Sequence, residues 1–318
     1  MCLPLVVTGC FPGGHPTKVL PRAVNSEIEL FDGWVHLDGA VNVRDLGGLS
    51  TDDGRRTLSR RLLRADNLQD LTDADLRLLV DDFGVRQVLD LRTSAEIDLE
   101  GPGPITREAA VTVREFTLYP EAGNRTDALT ENRTGVPGAV PQTPWTSGRR
   151  PPLDIDAGER PAVIHYLGYL RHASNNIVDS LRAIGARDDG ATLVHCAAGK
   201  DRTGTVIALA LLVAGVRRED VVADYARSGE VIDKIMARLA STQTYAADVS
   251  DAEGNPVTDV TMDPVTWAAI ANRQRPRAET MWRLLEILDE RAGGPLRWLT
   301  EAGLTEAEQN ATRTHLLG

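Results

Sequence analysis

Residues 191–213, with the sequence ATLVHCAAGKDRTGTVIALALLV, carry the strongest structural signal in the chain. The apolar run at 191–194 predicts a buried strand, and the apolar run at 206–213 predicts a helix. The residues between the two runs include Gly199 and predict a loop. The stretch therefore predicts a strand, a loop and the start of a helix in direct succession.

The predicted loop contains the groups needed to bind a tetrahedral anion. Successive N–H groups of such a loop point into one concavity, and the N-terminus of the next helix adds partial positive charge. The same field stabilises a thiolate at Cys196, and the planar guanidinium of Arg202 can hold two phosphoryl oxygens. The pattern predicts cysteine-based phosphoryl transfer without a metal or cofactor. The predicted phosphate-binding residues are Ala197, Ala198, Gly199, Lys200, Asp201 and Arg202.

Two neighbours of the loop are expected to support the reaction. Thr203 can donate a hydrogen bond to the Cys196 thiolate, which would make the sulfur a better leaving group. His195 directly precedes the nucleophile, and we expect it to fix the loop by hydrogen bonds rather than to transfer protons. Arg44, Asp45 and Arg64 could brace the site, although ordinary salt bridges in the core are the alternative.

Composition limits the classes of function. The 318 residues carry a formal net charge of -11, which argues against nucleic-acid binding and against a polybasic membrane surface. No apolar run is long enough to span a bilayer, so no stable membrane insertion is expected. The three cysteines, Cys2, Cys10 and Cys196, suit a reducing compartment such as the cytoplasm. Residues 1–10 lack a basic export signal, which leaves only a non-obvious route of export open.

The order of predicted elements indicates an α/β protein. Residues 1–30 predict an irregular leader, and residues 31–318 a single domain with a flexible insertion at 121–160. Predicted strands are 34–37, 41–44, 62–64 and 85–91. A helix is predicted to begin at Thr72 and to end at Gly84. Apolar residues at helical spacing predict further helical order at 163–170 and then at 177–184, and later helices are predicted at 218–228, 229–240, 264–273, 278–291 and 305–316.

The segment HCAAGKDRTG at 195–204 resembles the signature loop of the atypical bacterial tyrosine and dual-specificity phosphatases, the tyrosine phosphatase family 3 group. Three other segments resemble motifs of the same group: NVRDLGG at 42–48, LDLRT at 89–93 followed by Glu96, and ADYARS at 223–228. The resemblance implies a cysteine-phosphatase-type fold, with a central mostly parallel sheet flanked by helices. It also implies a helical lid over the pocket at 229–275.

The resemblance leaves the proton donor open among three carboxylic acids. It supports Asp201 as an acid and base, with orientation of Lys200 and Arg202 as the structural alternative. Glu121 stands where the group has an acidic residue on a mobile loop, but the group's residue there is Asp. Asp90 is a third candidate, for which a buried ion pair with a nearby arginine is the alternative role.

The expected substrates are proteins or peptides that contain phosphotyrosine. Lysines at the position of Lys200 accompany phosphoinositide activity in similar loops, so phosphoinositides are alternative substrates, and plain loop electrostatics is the alternative role of the lysine. Inorganic phosphate or sulfate could occupy the same site. Two other classes stay open: a non-catalytic phosphate-binding module, and a sulfurtransferase of the rhodanese kind, which Arg202 disfavours.

Overall fold

The computed structural model describes residues 33–119, 159–187, 189–242, 244–245 and 263–318. The predicted leader lies outside these ranges, as does the predicted insertion at 121–160 except for its last two residues. Five strands of the described chain form one sheet. They are β1 (Arg44–Asp45), β2 (Leu62–Ala65), β3 (Val85–Asp90), β4 (Thr112–Glu115) and β5 (Ala191–His195).

The sheet is mostly parallel, as predicted. Its order is β1-β2-β5-β3-β4, and β1 pairs with β2 in the antiparallel sense. The carboxyl ends of the three central strands are in register, because His195 pairs with both Ala65 and Asp90. Ligands of parallel sheets bind beyond this edge. The residues that follow β2, β3 and β5 therefore converge on one place.

The N-terminal part of the sheet is shorter than the sequence predicts. The predicted strand at 34–37 is wrong, since only a single bridge joins Trp34 to Arg44. The N–H groups of Val41 and Asn42 donate to the carboxylate of Asp66 instead of to a strand. Side-chain acceptors thus replace the ladder that apolar alternation predicts. The edge strand β4 was not predicted because its sequence, TVRE, is polar and mostly exposed.

Eleven α-helices lie in the described ranges. They are α1 (Asp73–Arg77), α2 (Ser94–Glu100), α3 (Pro161–His172), α4 (Ser174–Gly185), α5 (Asp201–Ala214), α6 (Arg218–Arg227), α7 (Ile232–Ser241), α8 (Pro264–Arg273), α9 (Ala278–Ala292), α10 (Pro295–Glu301) and α11 (Glu306–Leu317). The later predicted helices are confirmed to within three residues at each end. The seven-residue helices α2 and α10 were not predicted, because a period is hard to recognise over two turns.

The sheet lies between two apolar layers. Residues on one face, such as Leu62 and Val194, pack with α3 to α6 and α9 to α11, whereas Leu63 and Leu193 pack on the other face with the α1 region. The alternation follows from the two-residue period of a strand. Every residue of α5 after Asp201 is buried, so the helix that follows the loop at 196–200 is fixed in the core. Among the described helices, none has the length and apolarity to cross a bilayer.

Candidate active site

The sequence 195–202 folds as a loop between the central strand and the central helix. The strand β5 ends at His195, and α5 begins at Asp201. Cys196 is a free thiol with 2% of its surface exposed, and Arg202 is 5% exposed. A strand at the middle of the sheet and a fully packed helix leave this loop little freedom. The structure therefore brings the predicted nucleophile and the predicted phosphate-binding arginine to one buried place.

The backbone of the loop offers a set of unused donors. Within the described ranges, the N–H groups of residues 197–202 donate no hydrogen bond, while the carbonyls of Ala197, Ala198 and Gly199 accept bonds from outside the loop. Gly199 has a φ of 63°, the left-handed conformation that favours glycine. Free N–H groups at a helix N-terminus are a site for an anion.

The guanidinium of Arg202 is fixed by the carboxylate of Glu96. Two hydrogen bonds of 2.8 Å join Nη1 to Oε2 and Nη2 to Oε1. The ring of Tyr119 lies 4.7 Å from the guanidinium carbon, and the Tyr245 hydroxyl accepts a bond of 3.3 Å from Nη2. Burial acts to lower the pKa of Arg202, but the charges of Glu96 and Cys196 outweigh it and raise that pKa. The arginine is a permanent cation with one orientation.

The carboxylate of Asp201 is held by two neighbours. It accepts a hydrogen bond of 2.5 Å from the Tyr166 hydroxyl and lies 3.2 Å from the ammonium of Lys200. Burial acts to raise the pKa of Asp201, yet the Lys200 charge and the Tyr166 bond keep it below its ordinary value. Asp201 is therefore ionised at neutral pH.

Asp90 and His195 form a separate buried pair behind the loop. The Asp90 carboxylate makes a bond of 2.6 Å to Nη2 of Arg92 and lies 3.5 Å from Nε2 of His195. Burial acts to raise the pKa of Asp90, but the interactions of its carboxylate with His195 and with Arg92 lower it overall. These contacts favour the ion-pair role over the role of proton donor. Burial lowers the pKa of His195 to about 4, so the imidazole is neutral at neutral pH.

Thr203 does not make the hydrogen bond that the sequence predicts. Its hydroxyl is buried and has no hydrogen-bond partner among the described residues, so no bond to the sulfur of Cys196 is formed. Thr203 lies in the first turn of α5, where packing and β-branching leave its side chain few rotamers. The hydroxyl is therefore a buried donor without a partner among the described residues.

Two helices cover the loop from the solvent side. Ala198 packs in an apolar cluster with α7 and α8, whose members include Ile232, Met236 and Ile270. The ammonium of Lys200 also donates a bond of 2.9 Å to the carbonyl of Gln274, just after α8. These contacts lie in the segment 229–275, for which the family resemblance implies a lid.

Several residues of the site had no role assigned to them from the sequence. Glu96 had a signal, since Thr93 and Glu96 have the spacing of a capping box, and both bonds of that box are present. Tyr119, Tyr166 and Tyr245 had none, because long-range packing brings them to the loop. Glu121, the alternative proton donor, lies outside the described residues.

The chain is similar to known phosphatases along most of its length. A model described as a tyrosine phosphatase family matches residues 35–318. The triple specificity protein phosphatase PtpB of Mycobacterium tuberculosis is 29% identical over 292 residues, which cover 89% of this chain and 98% of that protein. A tyrosine-protein phosphatase of Nostoc commune is 29% identical over 254 residues, or 80% of this chain and 73% of the relative. The matched range includes the whole loop and every described residue that contacts it.

Proposed function

We propose that this chain, which belongs to the tyrosine phosphatase family and is a cysteine-dependent protein-tyrosine phosphatase, carries the phosphoryl group on Cys196. The observation that supports this most is the cradle of free N–H groups at 197–202, closed by an arginine that Glu96 holds in place. A tetrahedral dianion matches both the charge and the donor directions of such a site. The buried free thiol at the base of the cradle supplies the nucleophile.

The first chemical step transfers the phosphoryl group to sulfur. The Cys196 thiolate attacks phosphorus, the S–P bond forms, and the bond from phosphorus to the phenolic oxygen breaks. The equatorial oxygens carry the charge of the transition state, and the loop N–H groups with Arg202 neutralise it. The leaving phenolate takes a proton from a positioned acid.

The second step returns the thiolate. Water attacks the phosphorus of the cysteinyl-phosphate, the S–P bond breaks, and inorganic phosphate leaves after a base has taken one proton of the water. Thr203 has a buried hydroxyl with no partner among the described residues. We propose that this hydroxyl donates to the sulfur as negative charge develops there.

Asp201 is the proton donor that the described contacts support best. Its carboxylate is ionised at neutral pH because Lys200 and Tyr166 stabilise the charge and keep its pKa low. A bound phosphate dianion repels that charge and competes for Lys200, and both effects raise the pKa of Asp201. The acid thus gains its proton when substrate binds, and it serves as the base in the second step.

The substrate range extends in our proposal beyond phosphotyrosine. The mycobacterial relative is named a triple specificity phosphatase, and Lys200 adds a second positive charge beside Arg202. We propose phosphotyrosine proteins as main substrates, with phosphoserine, phosphothreonine and phosphoinositides as further ones. A thiolate nucleophile requires a reducing compartment, for which we propose the cytoplasm.

The helices α7 and α8 act as a lid in this proposal. Their apolar cluster with Ala198 covers the loop, and Tyr245 reaches Arg202 from the same segment. A cover of this kind limits access of oxidants to the thiol and selects substrates that displace it.

Hydrolysis of p-nitrophenyl phosphate in EDTA tests the function. We expect the wild type to turn over and Cys196→Ser to be inactive. Arg202→Lys should be much slower, since lysine cannot donate two parallel hydrogen bonds to the phosphoryl oxygens. A non-catalytic phosphate-binding module would show no turnover, and a rhodanese-type enzyme would instead transfer sulfur from thiosulfate to cyanide. Persistent phosphatase activity in Cys196→Ser would overturn the assignment of the nucleophile.

A further inference from the structure

The peptide groups of the phosphate loop are oriented by side chains from the first two strands. The carbonyl of Ala198 accepts a bond of 2.9 Å from Nδ2 of Asn42. The carbonyl of Gly199 accepts bonds of 2.6 Å from Nη2 of Arg64 and 3.2 Å from the same amide of Asn42. In a trans peptide the carbonyl and the following N–H point in opposite directions. Two outward carbonyls therefore turn the N–H groups of Gly199 and Lys200 inward.

These bonds act at the part of the loop that has no side chain of its own to orient it. Residue 199 adopts a positive φ, and a Cβ atom there would lie 2.4 Å from the carbonyl oxygen of Ala65. The loop thus presents bare backbone to the end of β2. With no side chain at residue 199, the orientation of its peptide groups depends on their carbonyl partners.

The two side chains are held by a buried network of their own. Nη1 of Arg44 donates a bond of 2.6 Å to Oδ1 of Asn42, which fixes the amide so that its Nδ2 faces the loop. The Asp224 carboxylate joins Arg44 at 3.0 Å and Arg64 at 2.5 Å, and the Ser228 hydroxyl accepts a bond of 3.2 Å from Asn42. All five residues are at most 4% exposed.

The network also carries positive charge. Burial lowers the pKa of Arg44 to about 10, so the guanidinium is still charged at neutral pH. Two guanidinium groups share the single carboxylate of Asp224, and Arg64 contacts the loop itself. The surplus cation lies directly behind the cradle, where it attracts a dianion.

We propose that Asn42 and Arg64 are positioning residues for phosphate binding: they align the Gly199 and Lys200 N–H groups with the phosphoryl oxygens. This role rests on the proposed function and deepens it, because it assigns part of the catalytic field to residues that never touch the substrate. It also assigns a role to Asp224 and Ser228, which hold the side chains of Arg64 and Asn42 in place.

The test compares two buried side-chain amides, each of which donates to a backbone carbonyl. Asn42→Leu removes the donors to the loop, while Gln87→Leu removes an amide that donates 3.0 Å bonds to Ala183 and Thr192, away from the site. We expect both variants to lose similar stability. Only Asn42→Leu should lower kcat/KM for p-nitrophenyl phosphate, by about tenfold to a hundredfold, and raise the inhibition constant of inorganic phosphate about tenfold.

A second variant covers the case in which Asn42→Leu does not fold. Ser228→Ala removes one acceptor for the Asn42 amide, and we expect a smaller rise in the same inhibition constant. An inhibition constant equal to that of Gln87→Leu, in whichever of the two variants folds, would overturn the positioning role.

Phosphate binding measured by calorimetry in a Cys196→Ser background separates this inference from the proposed function. A wild-type protein that does not hydrolyse p-nitrophenyl phosphate would refute the proposed function. Weakened phosphate binding in the Asn42 or Ser228 variant, measured without catalysis, would still support the positioning role, and unchanged binding would refute it.

Discussion

Glu96 and Arg202 lie face to face, with two hydrogen bonds of 2.8 Å between the carboxylate and the guanidinium. The pair joins the helix after β3 to the helix after β5, so it fixes the arginine relative to two strands of the sheet. Glu96 also closes the capping box of α2 through a bond of 2.6 Å from the Thr93 N–H. One carboxylate therefore caps the start of α2 and fixes the orientation of the Arg202 guanidinium.

We expect Glu96→Gln to lower kcat/KM for p-nitrophenyl phosphate by about tenfold to a hundredfold, because Arg202 loses its charged partner. The matched control is Glu308→Gln, since Glu308 also closes a capping box and pairs with an arginine, Arg182, far from the loop. Steady-state kinetics should show full activity in the control. Equal losses in both variants would mean that Glu96 acts only through helix stability.

Asp201→Asn should affect poor leaving groups more than good ones. Removing the proton donor costs about a hundredfold to ten-thousandfold where the leaving oxygen needs a proton, as in phosphoserine or phenyl phosphate. p-Nitrophenolate leaves without help, so its release should change little. Rates for a series of aryl phosphates measure the effect, and a loss independent of leaving-group pKa would assign Asp201 to loop structure alone.

The residues of the loop could be predicted from the sequence, whereas most of the contacts that hold the loop could not. Cys196, Gly199 and Arg202 are close in the chain, and their spacing alone indicates a phosphate site. The partners of the loop come from residues far away in sequence, such as Glu96 and Tyr166, which only the packing of α2 and α3 brings near. Motif resemblance flagged Glu96 and Asp224 without giving a reason, and the contacts now supply one.

The Tyr166 hydroxyl should tune the pH dependence of the reaction. Burial acts to raise the pKa of Asp201, and the Lys200 charge and the Tyr166 bond lower it. Tyr166→Phe removes that bond, so the pKa of Asp201 should rise and the alkaline limb of the kcat profile should move up by about half a unit to one unit. Ser180→Ala is the control, since it removes a buried hydroxyl that donates a bond of 2.7 Å to the Asn176 carbonyl and does not contact Asp201. Identical profiles for the two variants would contradict the role of Tyr166.

His195 should make stability depend on pH below neutrality. Burial lowers its pKa from 6.5 to about 4. Between these two pH values the imidazole is protonated in the unfolded chain and neutral in the folded chain. The free energy of unfolding should therefore fall by about 3 kcal/mol as pH drops from 6.5 towards 4, and be unaffected above that window. Urea titrations of wild type and His195→Gln measure it: the difference between the two curves should change only inside the window. A constant difference would show that the imidazole is not buried as a neutral group.

The bare backbone at residue 199 predicts a severe effect for one methyl group. Gly199→Ala places a Cβ atom 2.4 Å from the Ala65 carbonyl oxygen, so the loop must move away from β2 and lose its alignment with Asn42 and Arg64. We expect kcat/KM to fall more than about a hundredfold, the scale for a lost oxyanion donor. Gly215→Ala separates crowding from backbone strain, because Gly215 has a φ of 83° but nothing within 4 Å of an added Cβ. That control should lose stability and keep its activity. If both variants keep their activity, the position of the loop against β2 does not control catalysis.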